Sequence, residues 1–134
     1  MAKELVPIVV ATVLWGRSWR GQTVLARCDN AAVVSIIGKG SSRDKEAMHL
    51  ARCLAFFQAE FDVQLVASHI KGAENVLADA LSRNDSVLYR AQCPQAEAEP
   101  TPIPEALLDL LLVKRPDWTC PGWIDLWSAT VRAV

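Results

Sequence analysis

The sequence predicts an α/β fold in which two parallel strands are joined through helices, in the order helix, strand, helix, strand, helix. Three observations support this class. A long apolar segment covers residues 4–15, short β-prone segments cover 23–28 and 61–67, and a helical run follows each of the β-prone segments. Strands that alternate with helices form parallel sheets through right-handed crossovers. We therefore expect a small α/β layer.

Composition limits the chain to ordinary classes of soluble protein. The 134 residues are 51% hydrophobic and 22% charged, which suits one domain with a core. The apolar stretch at 5–15 is shorter than the roughly 20 residues that cross a bilayer, and no Arg precedes it as in a secretory leader. We therefore expect an intracellular protein, in cytoplasm or nucleus, without a membrane partner.

Charge and cysteine content give no strong functional signal. Residues 1–92 hold eleven Lys and Arg against nine Asp and Glu, a surplus too small to indicate nucleic-acid binding. The four cysteines form no C-x-x-C pair and have no His at zinc-finger spacing, which argues against a zinc site. We expect reduced thiols, two of them in the core.

The first half of the chain has clear element boundaries. The segment from Glu4 to Trp15 is expected to be a buried helix with Pro7 in its first turn. The segment Thr23-Val-Leu-Ala-Arg-Cys28 reads as a buried strand. Asp29 or Asn30 is placed to cap a helix over 31–37.

The middle of the chain should hold a long helix and the second strand. Gly38–Ser42 breaks the chain, and Ser41 with Asp44 makes a capping-box pattern before a helix that runs to about Glu60. One side of that helix is traced by Met48, Ala51, Leu54, Ala55 and Gln58. A strand over 61–67, a turn over 69–72 and a short helix over 75–82 should follow.

Three regions divide the chain. Residues 1–92 form the α/β part, residues 93–104 are a Pro-rich linker of polyproline character, and residues 105–134 are a tail of short helices. The apolar residues of the tail either dock on a partner or pack in the core, and core packing is the commoner role of such residues. They are Leu107, Leu108, Leu111, Trp123 and Trp127.

Acidic residues stand where a catalytic site is expected. Asp29 follows the first strand, and ligands of open α/β sheets collect at strand carboxyl ends. Glu4 lies on the first helix, His69 near the end of the second strand and Asp79 on the helix after it. Converging carboxylates would hold Mg²⁺ or Mn²⁺ and support two-metal phosphodiester hydrolysis. Taken singly, each of these residues is more commonly a helix cap, a surface acid or a loop hydrogen-bonding group.

A longer motif links these residues to a known family. His69-Ile-Lys-Gly-Ala-Glu-Asn75-Val-Leu-Ala-Asp79-Ala-Leu-Ser-Arg83 resembles the closing motif H-I-x-G-x-x-N-x-x-A-D-x-L-S-R of retroelement ribonuclease H domains. The separations of His69 and Asn75 from Asp79 match those of that superfamily. The surroundings of Glu4 and Asp29 resemble the helix with the family's catalytic Glu and the strand end with its second Asp. The sequence is most similar to that of gypsy-like or DIRS-like reverse transcriptase polyproteins, and the resemblance covers residues 1 to about 92.

The resemblance implies a site and a substrate. Glu4 and Asp29 would bind one metal ion and Asp79 the other, and His69 would assist proton transfer or product release. Contacts to substrate are implied for Asn30, Lys71 and Asn75, and the cofactor would be Mg²⁺ or Mn²⁺. The substrate class is the RNA–DNA hybrid, recognised through shape, 2′-hydroxyls and phosphates.

The resemblance is to an incomplete, N-terminally truncated ribonuclease H-like fold. The family's first Asp bridges both metals and lies on the first of three strands that precede the Glu-bearing helix, and residues 1–134 have no counterpart of those strands. We therefore expect weak metal binding, impaired hydrolysis, an unpaired sheet edge and an uncovered apolar face. A partner could be the missing N-terminal part of the polyprotein. The alternative is a non-catalytic nucleic-acid-binding or protein-interaction module.

Overall fold

The computed structural model describes residues 2–111, in which two strands are surrounded by helices. The elements are α1 (Ala2–Trp15), β1 (Thr23–Cys28), α2 (Ala31–Lys39), α3 (Lys45–Phe61), β2 (Gln64–His69), a 3-10 turn (Gly72–Glu74), α4 (Val76–Ser82), α5 (Ser86–Gln92) and α6 (Glu105–Leu111). The predicted α/β class is confirmed. The predicted tail beyond Leu111, with Cys120, Trp123 and Trp127, lies outside the described residues.

The two strands form a parallel pair, as predicted. The register runs from Thr23 opposite Gln64 to Cys28 opposite His69, and α2 and α3 make the crossover between the strands. The backbone N–H of Ile70 donates to the carbonyl of Cys28 at 3.0 Å, which extends the pairing to the end of both strands. Both strands therefore end at one edge of the sheet, from which the loops after Cys28 and His69 leave side by side.

The boundary between α3 and β2 differs from the sequence prediction. The sequence pattern assigns Phe61 to the strand, but it is the last residue of α3, and β2 spans Gln64–His69. The reason is packing, because Phe61 is 1% exposed and its ring stacks on that of Phe57 one turn earlier. Asp62 then takes the left-handed conformation (φ 53°) and ends the helix.

The start of α3 and its buried face also differ from prediction. The cap is not Ser41: Asp44 itself accepts the backbone N–H of Ala47 at 2.8 Å, and its own N–H donates to Ser42 Oγ. The predicted apolar side included Ala55, which is exposed. The face that packs against α1 is rotated from the predicted one, and the buried residues of the helix are Ala47, His49, Leu50, Ala51, Cys53, Leu54, Phe57 and Phe61.

Three further boundaries were displaced or missed. The predicted break at Gly38 lies at Gly40, whose left-handed backbone (φ 70°) caps α2. The helix predicted from Asn75 begins at Val76 after the 3-10 turn. The sequence analysis assigned no helix to Ser86–Gln92, where Asp85 accepts the N–H of Leu88 and caps α5. An Asp cap before a short run with no apolar periodicity is a weak signal in sequence.

The core lies between the sheet, α1 and α3. Leu5, Val9 and Val13 of α1 are almost fully buried, and Gly16 lets the end of α1 approach α3 closely. A Cβ atom on Gly16 would stand 2.5 Å from Cδ2 of Phe61. Cys28 and Cys53 are buried free thiols, which confirms the two core cysteines expected from the sequence.

Residues 93–111 pack against the α/β part of the chain. The guanidinium group of Arg90 donates to the carbonyl oxygens of Ala96, Glu97 and Ala98 at 2.7–3.0 Å and so fixes the start of the Pro-rich segment. The α6 residues Leu107, Leu110 and Leu111 are buried in the main core, whereas Leu108 is 36% exposed. Of the two roles considered for the apolar tail, Leu107 and Leu111 adopt core packing, whereas Leu108 does not.

The helices of residues 2–111 do not include one that is both long and apolar enough to cross a membrane.

Candidate functional site

The candidate site lies at the edge where both strands end. Asp29 and Asn30 follow β1, and the loop from Ile70 to Asn75 follows β2. Because Cys28 and His69 are paired in register, these two loops start next to each other. This is the position at which open parallel sheets gather ligand-binding side chains.

Asn30 connects the first helix to this edge. Its Oδ1 accepts the N–H groups of Ala32 and Val33 at 2.9 and 3.2 Å, which caps α2. Its Nδ2 donates to Oε2 of Glu4 at 2.8 Å. The family resemblance implies a substrate contact for Asn30, and in this structure its side chain holds the start of α2 and the carboxylate of Glu4 together. Of the two cap candidates, Asn30 is the cap.

Asp29 faces the loop that follows the second strand. Its side chain is exposed, and a Cβ placed on Gly72 would lie 3.7 Å from Oδ2 of Asp29, an ordinary van der Waals distance. The Gly of the 69–83 motif thus packs beside the acid that follows β1. Glu4 is bonded to the neighbouring residue Asn30, so two predicted acids belong to one small area of surface.

Three predicted residues lie on the loop itself. His69 is the exposed last residue of β2, and Lys71 is an exposed residue in extended conformation just before the 3-10 turn. Asn75 ends this turn: its N–H donates to Gly72 and its carbonyl accepts the N–H of Asp79. The role of Asn75 here is backbone geometry, since its side chain makes no capping hydrogen bond to α4.

The carboxylate of Asp79 forms an ion pair with an arginine of its own helix. Its Oδ1 receives the Nε–H of Arg83 at 3.1 Å, one turn further along α4, and both side chains are exposed. Spacing i, i+4 on a helix surface brings such pairs together without help from other elements. Arg83 belongs to the same motif, and its role as partner of Asp79 was not anticipated from the sequence.

The predicted ligands are carboxylates, which suit a hard divalent cation, but the structure does not place three such side chains around one point. Carboxylate oxygens such as those of Glu4, Asp29 and Asp79 are what Mg²⁺ and Mn²⁺ prefer. Over residues 2–111, however, the structure contains no group of three or more His, Cys, Asp or Glu side chains placed to hold a metal ion.

A buried histidine was missed by sequence reasoning. His49 is 2% exposed, and its Nε2 lies 2.6 Å from the carbonyl oxygen of Leu110, so it joins α3 to α6. Burial lowers the pKa of His49 below 6.5, with a smaller opposing effect of the Leu110 hydrogen bond and a further lowering by Arg52. The sequence signal for its burial is the position of this histidine among apolar residues on one face of the helix.

Comparison with known proteins assigns no family. Neither the family models, nor the curated proteins, nor the solved structures contain a match to this chain. The fold and site define an α/β unit with an acid-bearing edge.

Proposed function

We propose that this chain is part of the ribonuclease H-like domain of a retroelement reverse transcriptase, of the gypsy-like or DIRS-like type. The observation that supports it most is the placement of the 69–83 motif beside Asp29. Gly72 of that motif packs near the Asp29 carboxylate, and Glu4 is hydrogen-bonded to Asn30, the residue that follows Asp29. A motif, a strand-end acid and a helix acid that are distant in sequence thus share one edge of the sheet.

The substrate in this proposal is an RNA–DNA hybrid, of which the RNA strand is cut. Two metal ions, when bound, supply an activated water and neutralise the leaving oxygen. The chain's own contribution is a set of exposed carboxylate oxygens on Glu4 and Asp29, the imidazole of His69 for proton transfer and the ammonium group of Lys71 for a phosphate. Asn75 holds the His69 loop against α4 through its backbone.

We further propose that hydrolysis by residues 1–134 alone is weak or absent. No segment of this sequence matches the strand with the family's first Asp. Asp79, the third acid of the set, is paired with Arg83. A metal pair would have to displace that cation and find a further ligand.

The direct test is cleavage of a labelled RNA–DNA hybrid in Mg²⁺ or Mn²⁺. The variants Asp29→Asn and Asp79→Asn are compared with Asp62→Asn, which removes the same charge beyond the amino ends of the strands and keeps a residue that tolerates the left-handed backbone. Metal-dependent cleavage that is lost in the first two variants and kept in the third supports the proposal. Cleavage that is unchanged in Asp29→Asn and Asp79→Asn contradicts it.

The second candidate is a module that binds nucleic acid without cutting it. It is favoured by the lack of a three-ligand metal group among residues 2–111 and by the exposed Lys71, which precedes the glycine that packs against Asp29. Binding of the uncleaved hybrid is measured by fluorescence anisotropy at several salt concentrations. Affinity that falls steeply with salt, with hybrid preferred over duplex DNA, is the expected result. Absence of binding at low salt would contradict this candidate.

A further inference from the structure

Asn30 makes two kinds of hydrogen bond with one side-chain amide. Its Oδ1 accepts the N–H groups of Ala32 and Val33 in the first turn of α2, and its Nδ2 donates to Oε2 of Glu4 at 2.8 Å. The amide oxygen and nitrogen cannot exchange places, because the nitrogen would then face two N–H donors and the oxygen would face a carboxylate. The orientation of the amide is therefore fixed by its partners.

The backbone of Asn30 is also fixed on both sides. Its N–H donates to Sγ of Cys28 at 3.5 Å, and its carbonyl accepts the N–H of Val34 at 3.1 Å. These contacts anchor the residue between the last residue of β1 and the first turn of α2. The direction in which Nδ2 donates is thus set by the strand and the helix, and not by the exposed side chain of Glu4.

Capping of α2 alone does not require an amide. Asp, Ser and Asn cap helices about equally well, since each supplies an oxygen to the first N–H groups. Asp44 and Asp85 do this for α3 and α5. At the start of α2 a carboxylate of α1 faces the cap, and of those three residue types only Asn carries a second polar atom that donates. The amide at this position is therefore explained by Glu4.

The donors that meet two acids of the candidate site differ in charge. Arg83 brings a positive charge to Asp79 and so opposes a metal ion there. Asn30 is neutral, so it orients the Glu4 carboxylate without cancelling its charge. Asp29, the residue before Asn30, supplies a second exposed carboxylate at the same strand end. One or two carboxylates, completed by water, are a common way for proteins to hold Mg²⁺.

We propose that Asn30 is a positioning residue of this site, which holds the Glu4 carboxylate beside Asp29 so that both acids bind one divalent cation. This inference rests on the proposed function and adds to it a role for Asn30 that is not a contact to substrate. The side chain of Glu4 is exposed, and binding a cation would restrict its rotamers. The bond to Asn30 has already removed part of that freedom in the folded chain.

The test is a double-mutant cycle on the full chain, with the Kd for Mn²⁺ measured by water proton relaxation. Asn30→Ser keeps a capping oxygen, adds no charge and is too short to reach Glu4. We expect it to raise the Kd about tenfold, as the loss of a group that orients a metal ligand commonly does. In the background of Glu4→Ala the same substitution should change the Kd little, because no carboxylate is left to orient.

A measurement without metal tests the hydrogen bond itself. The side-chain nitrogen resonance of Asn30 should shift in Glu4→Ala. It should stay in place in Glu60→Ala, which removes an exposed acid from the end of α3, near the amino end of β2.

The possible results separate this inference from the proposed function. An Asn30 resonance that does not move in Glu4→Ala overturns the inference, whether or not the chain binds metal. Equal weakening of Mn²⁺ binding by Asn30→Ser in both backgrounds also overturns it and leaves the proposed function standing. An unaltered chain that binds no Mn²⁺ at millimolar concentration contradicts the proposed function, and the positioning role with it.

Discussion

The side-chain amide of Asn30 donates to Oε2 of Glu4 at 2.8 Å while its carbonyl oxygen caps α2. One side chain thus connects the beginning of α1, the end of β1 and the start of α2. The acid of the first helix is positioned at the sheet edge by this bond, together with the burial of Leu5 and Val9 on the same helix.

The two functions of Asn30 can be separated by substitution. Asn30→Ala removes the cap and the Glu4 bond, and should lower the free energy of unfolding by about 1 kcal/mol. Asn30→Asp keeps a capping oxygen but loses the donor and faces the Glu4 carboxylate, so we expect a smaller loss. Urea unfolding followed by circular dichroism measures both. Equal losses would show that the Glu4 bond, and not the cap, stabilises this corner.

Gly16 should be intolerant of any side chain. Gly16→Ala places a Cβ against Phe61 and the α1 backbone, and we expect a loss of about 1–3 kcal/mol in the free energy of unfolding. Gly38→Ala is the matched control, because nothing lies within 4 Å of its Cβ position inside α2. Helix propensity should make that variant more stable by up to about 1 kcal/mol. Thermal melts that rank the two variants in the opposite order would contradict the α1–α3 contact.

His49 should make stability depend on pH in the acidic range. Because burial lowers its folded-state pKa below the unfolded value of 6.5, the unfolded chain binds the additional proton first. Stability is therefore fully present above pH 6.5 and falls as the pH drops from there toward the folded pKa.

The size of this effect is limited to one proton. The slope should not exceed about 1.4 kcal/mol per pH unit from this group. His49→Gln, which keeps a donor toward Leu110, should flatten the difference between urea midpoints at pH 5 and pH 7.5. His69→Gln, at an exposed position, should leave it unchanged. A slope that survives in His49→Gln would assign the pH dependence to other groups.

Arg83 should compete with a divalent cation for Asp79. Arg83→Ala frees the carboxylate, so we expect Mn²⁺ to bind a few-fold more tightly, since an exposed ion pair opposes binding only modestly. Water proton relaxation reports bound Mn²⁺ directly. Arg43→Ala, which removes another exposed cation, is the control for general charge. Equal effects of the two variants would mean that Asp79 takes no specific part in metal binding.

The local elements were predictable where one sequence signal was strong. The strand at 23–28 has the predicted bounds because β-branched residues are flanked by polar turns. The assignment of Phe61 was wrong because an apolar residue beside a β-prone run has no local mark of belonging to the helix. The stacking of its ring on Phe57 and the left-handed Asp62 are outcomes of packing that no short window contains.

The candidate site was predictable as a set of residues but not as a set of contacts. Order along the chain placed Asp29 and the loop after His69 at one edge, since parallel strands end together. The partner of each side chain depended on three-dimensional proximity, as in the bond between Glu4 and Asn30. The pairing of Asp79 with Arg83 was accessible from their i, i+4 spacing.

The α/β class, the parallel pairing of two strands and the residues that follow each strand could all be read from the order of amino acids. These features depend on local propensity and on the succession of elements along the chain, which one sequence contains. Two other features could be seen only in the folded chain. The first is the hydrogen bond between His49 and Leu110, which joins α3 to α6. The second is the difference between the two outer strands: Gln58 binds the free edge of β2, whereas β1 has no paired strand on its far side among residues 2–111. Such contacts join residues distant in the chain or select one rotamer among several, so close packing is what fixes them.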